Sequence, residues 1–164
     1  TLISDVMALY ASEPNDHVSR ALITTELDNA CPVIMGDEQQ LRQVIHNLLQ
    51  NAQDACEASS VHGQESRVVI RTEWRGSRNL VRLTVSDTGP GFAPNILQRA
   101  FEPYVTTKAK GTGLGLAVVK KIADEHGAKI EMSNILNNGK IEGAQVSLSF
   151  AVKQASLGLS TSPT

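Results

Sequence analysis

In this 164-residue chain, Leu80-Val-Arg-Leu-Thr-Val-Ser-Asp87-Thr-Gly-Pro-Gly91 joins a half-buried strand to a glycine-rich turn. Val81, Leu83 and Val85 alternate with polar neighbours, the period of a strand with one buried face. Asp87 continues that face, so a carboxylate points inward where the strand ends. Burying it without a donor costs several kcal/mol. Thr88-Gly-Pro-Gly91 then turns sharply, and its glycines let a flat group approach the backbone. Two readings follow. The carboxylate bonds its own turn, as in Asp-Gly turns generally, or it accepts a hydrogen bond from a ligand.

Residues 67–74 read as a second strand, joined to residues 80–86 by a turn at Gly76-Ser-Arg-Asn79 and therefore antiparallel to them. Before this pair a long helix is expected over 37–58, with Asp37 as its N-cap. At about 100° per residue, Leu41, Val44, Ile45, Leu48, Leu49, Ala52 and Ala55 gather into one apolar stripe. Asn47, Asn51 and Asp54 form a polar row along the edge of that stripe, where they border the core and can wall a cleft. They are either solvated residues, since Asn is tolerated on exposed helical faces, or amide oxygens placed for a hard cation. A helix over 2–10, a strand over 21–27 and a loop over 29–36 precede them. Beyond Gly91 the pattern predicts a short helix over 94–100, an irregular stretch over 101–113, and a helix over 114–126 stopped by Gly127. Strands over 128–133 and 144–151, linked by Asn137-Asn-Gly139, complete the chain. The fold class is α+β, a two-layer sandwich with helices on one face of a mixed, mostly antiparallel sheet. Residues 1–153 are expected to form one domain, and 154–164, rich in Ser, Thr, Gly and Pro, a flexible tail.

Composition limits what this domain can do. With 15 basic and 17 acidic residues the formal charge is -2, which offers no nucleic-acid footprint and no polybasic face for a membrane. The longest apolar runs, such as residues 114–119, fall far short of the roughly 20 residues that cross a bilayer. The leading Thr1-Leu-Ile-Ser-Asp5 carries no basic n-region, so no signal peptide is expected. Cys31 and Cys56 lack metal-ligand spacing and read as reduced thiols.

A third segment adds to the helix edge and the Asp87 turn. Gly111-Thr-Gly-Leu-Gly115 opens a helix, and its bare backbone amides converge on a helix N-terminus, a ready anion site. Its spacing matches neither the strand-GxxxxGK[ST]-helix loop nor the dinucleotide fingerprint. Amide oxygens for a metal, an inward carboxylate for a base edge and free amides for phosphate together describe an ATP pocket. Within it the adenine amino group is the donor for Asp87.

These segments resemble the N, G1 and G2 boxes of the ATP-binding (Bergerat) fold shared by sensor histidine kinases, type II topoisomerases, mismatch-repair MutL proteins and the Hsp90 chaperones. Ala100-Phe-Glu-Pro-Tyr-Val-Thr-Thr-Lys108 is similar to the F box of histidine kinases. The helix from Leu41 to Ala55 is most similar to that of nitrogen-regulation sensor kinases. The resemblance covers about residues 37–150. It implies that Asn51 coordinates Mg²⁺ with Asn47 beside it, and that Asp87 reads adenine, with Gly89, Gly91 and Phe92 forming the loop around the base. Gly111, Thr112, Gly113, Leu114, Gly115 and Leu116 would cradle the phosphates. The segment from Phe101 to Gly111 would be a lid anchored by Phe101 and Tyr104, or these aromatics belong to the core. Lys108 is either a phosphate contact or a solvent lysine.

ATPases of this superfamily resemble one another in carrying a glutamate where this chain has Asn47. An amide cannot act as a general base, so the resemblance implies a kinase that presents the γ-phosphoryl and hydrolyses it slowly. Many histidine kinases carry a lysine at the position of Asp54, a departure that leaves the role of Asp54 open. His17, His46, His62 and His126 all lack the phosphoacceptor context. The implied partners are therefore a dimerisation and histidine-phosphotransfer domain of the same parent protein and a response regulator downstream. The implied location is a cytoplasmic domain, with the parent open to an inner-membrane anchor. A serine-directed anti-sigma kinase and a nucleotide-responsive interaction module share the fold and stay open as alternatives.

Overall fold

In the computed structural model the described residues are 22–32, 34, 36–58, 66–94, 97 and 115–152. The elements are β1 (Leu22–Glu26), α1 (Glu38–Ala58), β2 (Arg67–Arg75), β3 (Leu80–Asp87), α2 (Gly115–Glu125), β4 (Lys129–Asn137) and β5 (Lys140–Ala151). The expected helix over 2–10 and the tail from 154 lie outside the described residues, and so does nearly all of the short helix expected over 94–100. At the start of that helix Leu97 N–H donates to the Ala93 carbonyl at 3.0 Å.

The five strands form one sheet in the order β1-β2-β3-β5-β4. β1 runs parallel to β2, and every other neighbouring pair is antiparallel. The alternation in β3 sets the two faces of this sheet. Val81, Leu83, Val85 and Asp87 are buried toward the helices, while Arg82, Thr84 and Ser86 lie on the outer face. Val68 and Ile70 of β2, and Val146, Leu148 and Phe150 of β5, continue the inner face. Against it α1 packs Val44, Ile45, Leu48, Leu49, Ala52 and Cys56, and α2 packs Val119, Ile122 and Ala123. Cys56, read from sequence only as a thiol, is 1% exposed and part of this core. Burying a Leu or Ile side chain stabilises by about 1.5–3 kcal/mol. An Asn inside a helix costs less than about 1 kcal/mol, so the α1 stripe easily carries Asn47 and Asn51 on its edge.

The helix ends follow their sequence signals. Asp37 caps α1, its Oδ1 accepting the Gln40 N–H at 3.1 Å. α2 ends in a Schellman motif: Ala128 N–H donates to Ala123 O at 2.8 Å and Gly127 N–H to Asp124 O at 3.1 Å, with Gly127 at φ +64°. His126 joins the two helices. Its Nε2 accepts the Asp37 N–H at 3.0 Å, which leaves Nδ1 to donate to the Ile122 carbonyl at 2.8 Å.

Beyond Glu26 the Asp28 carboxylate takes over the edge of the sheet. Oδ2 accepts the Trp74 N–H at 3.0 Å and Oδ1 the Ala30 N–H at 2.9 Å. These bonds, Trp74 first, hold the Asp28 carboxyl below its usual range.

The last hairpin differs from expectation. Its strands were expected to stop at 133 and resume at 144, but they run to Asn137 and from Lys140, closed by a two-residue turn. Asn138 (φ 53°) and Gly139 (φ 79°) both have positive φ, as a type I′ turn requires. The added rungs lie near the tip, where Leu136 and Ile141 are 63% and 48% exposed. No apolar alternation marks them. Among the described residues no helix is long and apolar enough to cross a membrane.

Candidate functional site

One edge of α1 links the parts of the site. Asn47, Asn51 and Ala55 follow at intervals of four, one row over roughly 12 Å of helix. At the first end Asn47 Nδ2 donates to the Gly115 carbonyl at 3.3 Å, and Asn47 Oδ1 accepts from Gln43 Nε2 at 2.9 Å. Asn51 faces the same glycine, since a Cβ on Gly115 would lie 3.7 Å from Asn51 Oδ1. Gly115 opens α2, whose first-turn amides have no acceptor inside the helix and carry the positive end of its dipole. The Asn51 amide oxygen and an anion-attracting helix end thus stand side by side, while the Asn47 oxygen, expected beside the metal, is turned to Gln43. Leu116 contributes only its main chain there, because its side chain packs against the core.

At the other end of the row, Ala55 meets the turn after β3. A Cβ on Gly89 would lie 2.9 Å from the Ala55 Cβ, the Ala55 carbonyl and Asp87 Oδ1, so only glycine fits. Asp87 is 9% exposed, and its Oδ1 accepts the Gly89 N–H at 2.8 Å. The self-bonded turn is therefore present, and it orients the carboxylate with main chain. Thr88 ties this turn to the neighbouring strand β2: its N–H donates to Arg67 O at 3.2 Å, and its Oγ1 accepts the Arg67 N–H at 3.0 Å. Cys56 Sγ lies 3.9 Å from that hydroxyl. Burial pushes the Cys56 thiol up, in keeping with a neutral group packed in the core.

Gly91 adopts φ +79°, a conformation that a side chain would strain. A Cβ there would also lie 2.6 Å from Ile141 Cγ2 and 2.8 Å from Asn134 Oδ1. Phe92 N–H donates to Asn134 Oδ1 at 2.7 Å, while Asn134 Nδ2 donates to Phe92 O at 2.9 Å. The Phe92 side chain packs against the core. Gly143 faces the Asp87 main chain across β3 and β5, and a Cβ on it would run into the Asp87 carbonyl.

Of the residues expected from sequence, the structure brings together Asn47, Asn51, Gly115 and Leu116 at one end of the row. Asp87, Gly89, Gly91 and Phe92 gather at the other. Lys108, Gly111, Thr112, Gly113 and Leu114 lie outside the described residues, as do Phe101 and Tyr104. Asp54 accepts from Gln50 Nε2 at 3.1 Å, along its own helix. Asn134 and Gly143 were missed. Carrying the alternation of Ile130 and Met132 one step past the expected strand end puts Asn134 on the same face.

The donor set suits a hard cation that brings most of its own ligands. Among the described residues no group of three or more His, Cys, Asp or Glu could hold a metal. An ion at Asn51 would complete its shell with water and phosphate oxygens, the habit of Mg²⁺.

Three comparisons place this geometry among known proteins. A family model described as histidine kinase-, DNA gyrase B-, and HSP90-like ATPase matches residues 36–154. A putative sensor histidine kinase, NtrY-like, from Rickettsia bellii is 37% identical over 105 residues, covering 64% of this chain and 16% of its own. Sensor histidine kinase ZraS from Salmonella typhi is 39% identical over 108 residues, covering 66% of this chain and 22% of its own. This chain thus spans about a fifth or less of the length of these curated relatives. The nucleotide-free catalytic domain of histidine kinase ThkA superposes with a TM-score of 0.73 at 30% identity, covering 92% of this chain and 90% of that one.

Proposed function

This chain belongs to the histidine kinase-, DNA gyrase B- and HSP90-like ATPase family, and we propose that it holds Mg-ATP along the edge of α1 and presents the γ-phosphoryl to a histidine. That histidine stands on a dimerisation domain of the same parent protein, from which the phosphoryl passes to a response regulator. The domain works on the cytoplasmic side.

The observation that carries this reading is the amide at position 47. Asn47 is engaged at both ends, donating to Gly115 O and accepting from Gln43, and no carboxylate replaces it to activate water. Phosphoryl transfer asks little covalent chemistry of the protein and depends on positioning and on stabilising charge. Asp87, oriented by Gly89, accepts the adenine amino group. Gly89 and Gly91 let the loop beside the ring pack closely, Gly89 against Ala55 and Gly91 against Ile141 and Asn134. The first-turn amides of α2 at Gly115 and Leu116 meet phosphate oxygens, together with Gly111, Thr112, Gly113, Leu114 and Lys108. Asn51 supplies an amide oxygen to Mg²⁺, which when bound neutralises charge building on the β- and γ-phosphates.

Two outcomes test the reading. Mixed with a separate fragment bearing dimerisation helices and a phosphoacceptor histidine, the domain should move label from γ-labelled ATP onto that histidine. Tight ATP binding without any label on the fragment would favour a nucleotide-responsive interaction module instead. Asn51→Ala should remove most of the gain in ATP affinity that Mg²⁺ gives the parent domain, roughly tenfold for the loss of one metal-oriented ligand. Calorimetry with and without the ion measures this, and an unchanged Mg²⁺ effect would reject Asn51 as a ligand.

A further inference from the structure

We propose that Asn134 is a positioning residue of the nucleotide site, acting through the main chain of Phe92 to hold the base-side loop in place. The inference rests on the adenine reading of that loop and adds a residue to it. Its starting point is register. Asn134 pairs with Ala144 of β5, and Ala144 pairs in turn with Asp87 of β3. Asn134 and Asp87 therefore stand in one row across three strands, and both belong to the face that carries the helices.

Between them runs the loop Thr88-Gly-Pro-Gly-Phe92, which leaves the sheet at Asp87 and comes back against β4. Two parts of the structure hold it. At the near end, Asp87 Oδ1 takes the Gly89 N–H and Thr88 closes on Arg67. At the far end, a single side-chain amide serves both polar groups of one residue, accepting the Phe92 N–H at 2.7 Å and donating to the Phe92 carbonyl at 2.9 Å. An amide is suited to this because it carries a donor and an acceptor in one plane, as a backbone neighbour would. In effect Asn134 adds one rung of sheet pairing to a segment that is not a strand.

Gly91 shows why the loop needs this support. It sits at φ +79° beside Asn134 Oδ1 and Ile141, and glycine is the residue with most conformational freedom to lose. Pro90 restricts its own φ and the Phe92 side chain packs on the core, but the Asn134 amide is what bonds both main-chain polar groups of Phe92. Without that bridge the near-end bonds would still hold Asp87, but the surface on which the base rests would be free to shift. A positioning residue of this kind acts on how well one base is preferred over another.

The test compares ATP and GTP on the whole domain by competition binding, with Asn134→Ala and the milder Asn134→Ser beside the parent. Each variant loses one or both bonds of the bridge, worth roughly a factor of ten together. ATP affinity should fall about tenfold in Asn134→Ala while weak GTP binding changes less than twofold, so the ATP-over-GTP ratio collapses. Asn134→Ser should fall between the two. Hydrogen exchange at the Phe92 amide gives a readout independent of nucleotide and should speed up in both variants. An unchanged ATP-over-GTP ratio, or an equal loss for both nucleotides, overturns the proposal, and so does slow exchange at Phe92 in Asn134→Ala. If the parent domain itself shows no preference for ATP, the adenine reading falls first and Asn134 with it; a parent that prefers ATP with a variant that matches it sinks Asn134 alone.

Discussion

Asp87→Asn should fold like the parent domain yet bind ATP and ADP about 30-fold more weakly, a loss of about 2 kcal/mol for one hydrogen bond to a charged acceptor. The substitution separates the two readings of this carboxylate. An asparagine keeps an oxygen that can take the Gly89 N–H, the 2.8 Å bond that shapes the turn. It replaces the other oxygen with an amino group, which meets the adenine amino group donor to donor. If Asp87 served only its own turn, Asp87→Asn would bind nucleotide normally, and calorimetry would show that at once. Asp87→Ala removes both functions, so it should lose stability as well as affinity. The intact domain should bind guanine nucleotides poorly, because guanine presents a carbonyl where adenine presents its amino group. Comparable affinity for ATP and GTP would reject the adenine assignment.

Gly143→Ala should cost about 3 kcal/mol of stability, the upper end of what one added methyl group does in a packed region. Most overpacked sites relax by moving a side chain. Here the obstacle is the main-chain carbonyl of Asp87, and moving it means parting β3 from β5 where Asp87 pairs with Ala144. ATP affinity should fall with stability, since the displaced atoms carry the carboxylate proposed to read the base. Gly139→Ala makes the right control. That glycine has φ +79°, and no described atom lies within 4 Å of where the new methyl would stand, so its replacement meets backbone strain alone, about 1 kcal/mol. Urea denaturation of the two variants gives the comparison. Equal losses would mean that close approach is not what Gly143 provides.

Much of this was legible in sequence where the signal is local. The period of two in β3 placed Asp87 inward, and the period of 3.6 in α1 placed the Asn row beside the core. Asp37 and Gly127 marked helix ends by side-chain and backbone chemistry that needs no distant partner. Strand order was not legible, because the β3-β5 pairing joins residues some 60 positions apart and leaves no trace in either segment alone. The β4-β5 hairpin was read too short for a different reason. Alternation fades wherever both faces of a strand are wet, and its outer rungs carry exposed Leu136 and Ile141 beside polar residues. Asn134 and Gly143 lie at the inner end of the unread rungs, part-buried and buried, where an amide and a glycine add nothing to an apolar alternation. The place of Asn47 on the edge of the apolar stripe was legible from helix period, but its bond to Gly115 O depends on how α2 lies against α1 and could come only from the structure.

The two faces of β3 bear on how such a domain can change over generations. Val81, Leu83, Val85 and Asp87 answer to the core and the pocket, while Arg82, Thr84 and Ser86 between them answer to neither. Substitutions can accumulate in the outer set without touching nucleotide, and relatives can diverge there while keeping the same chemistry. Loss or gain of a single residue is another matter. It exchanges the two sets along the strand beyond it, turning the carboxylate outward and a serine or threonine toward the pocket. Lineages of this domain should therefore drift freely by replacement on one side of β3 and almost never by insertion or deletion within it.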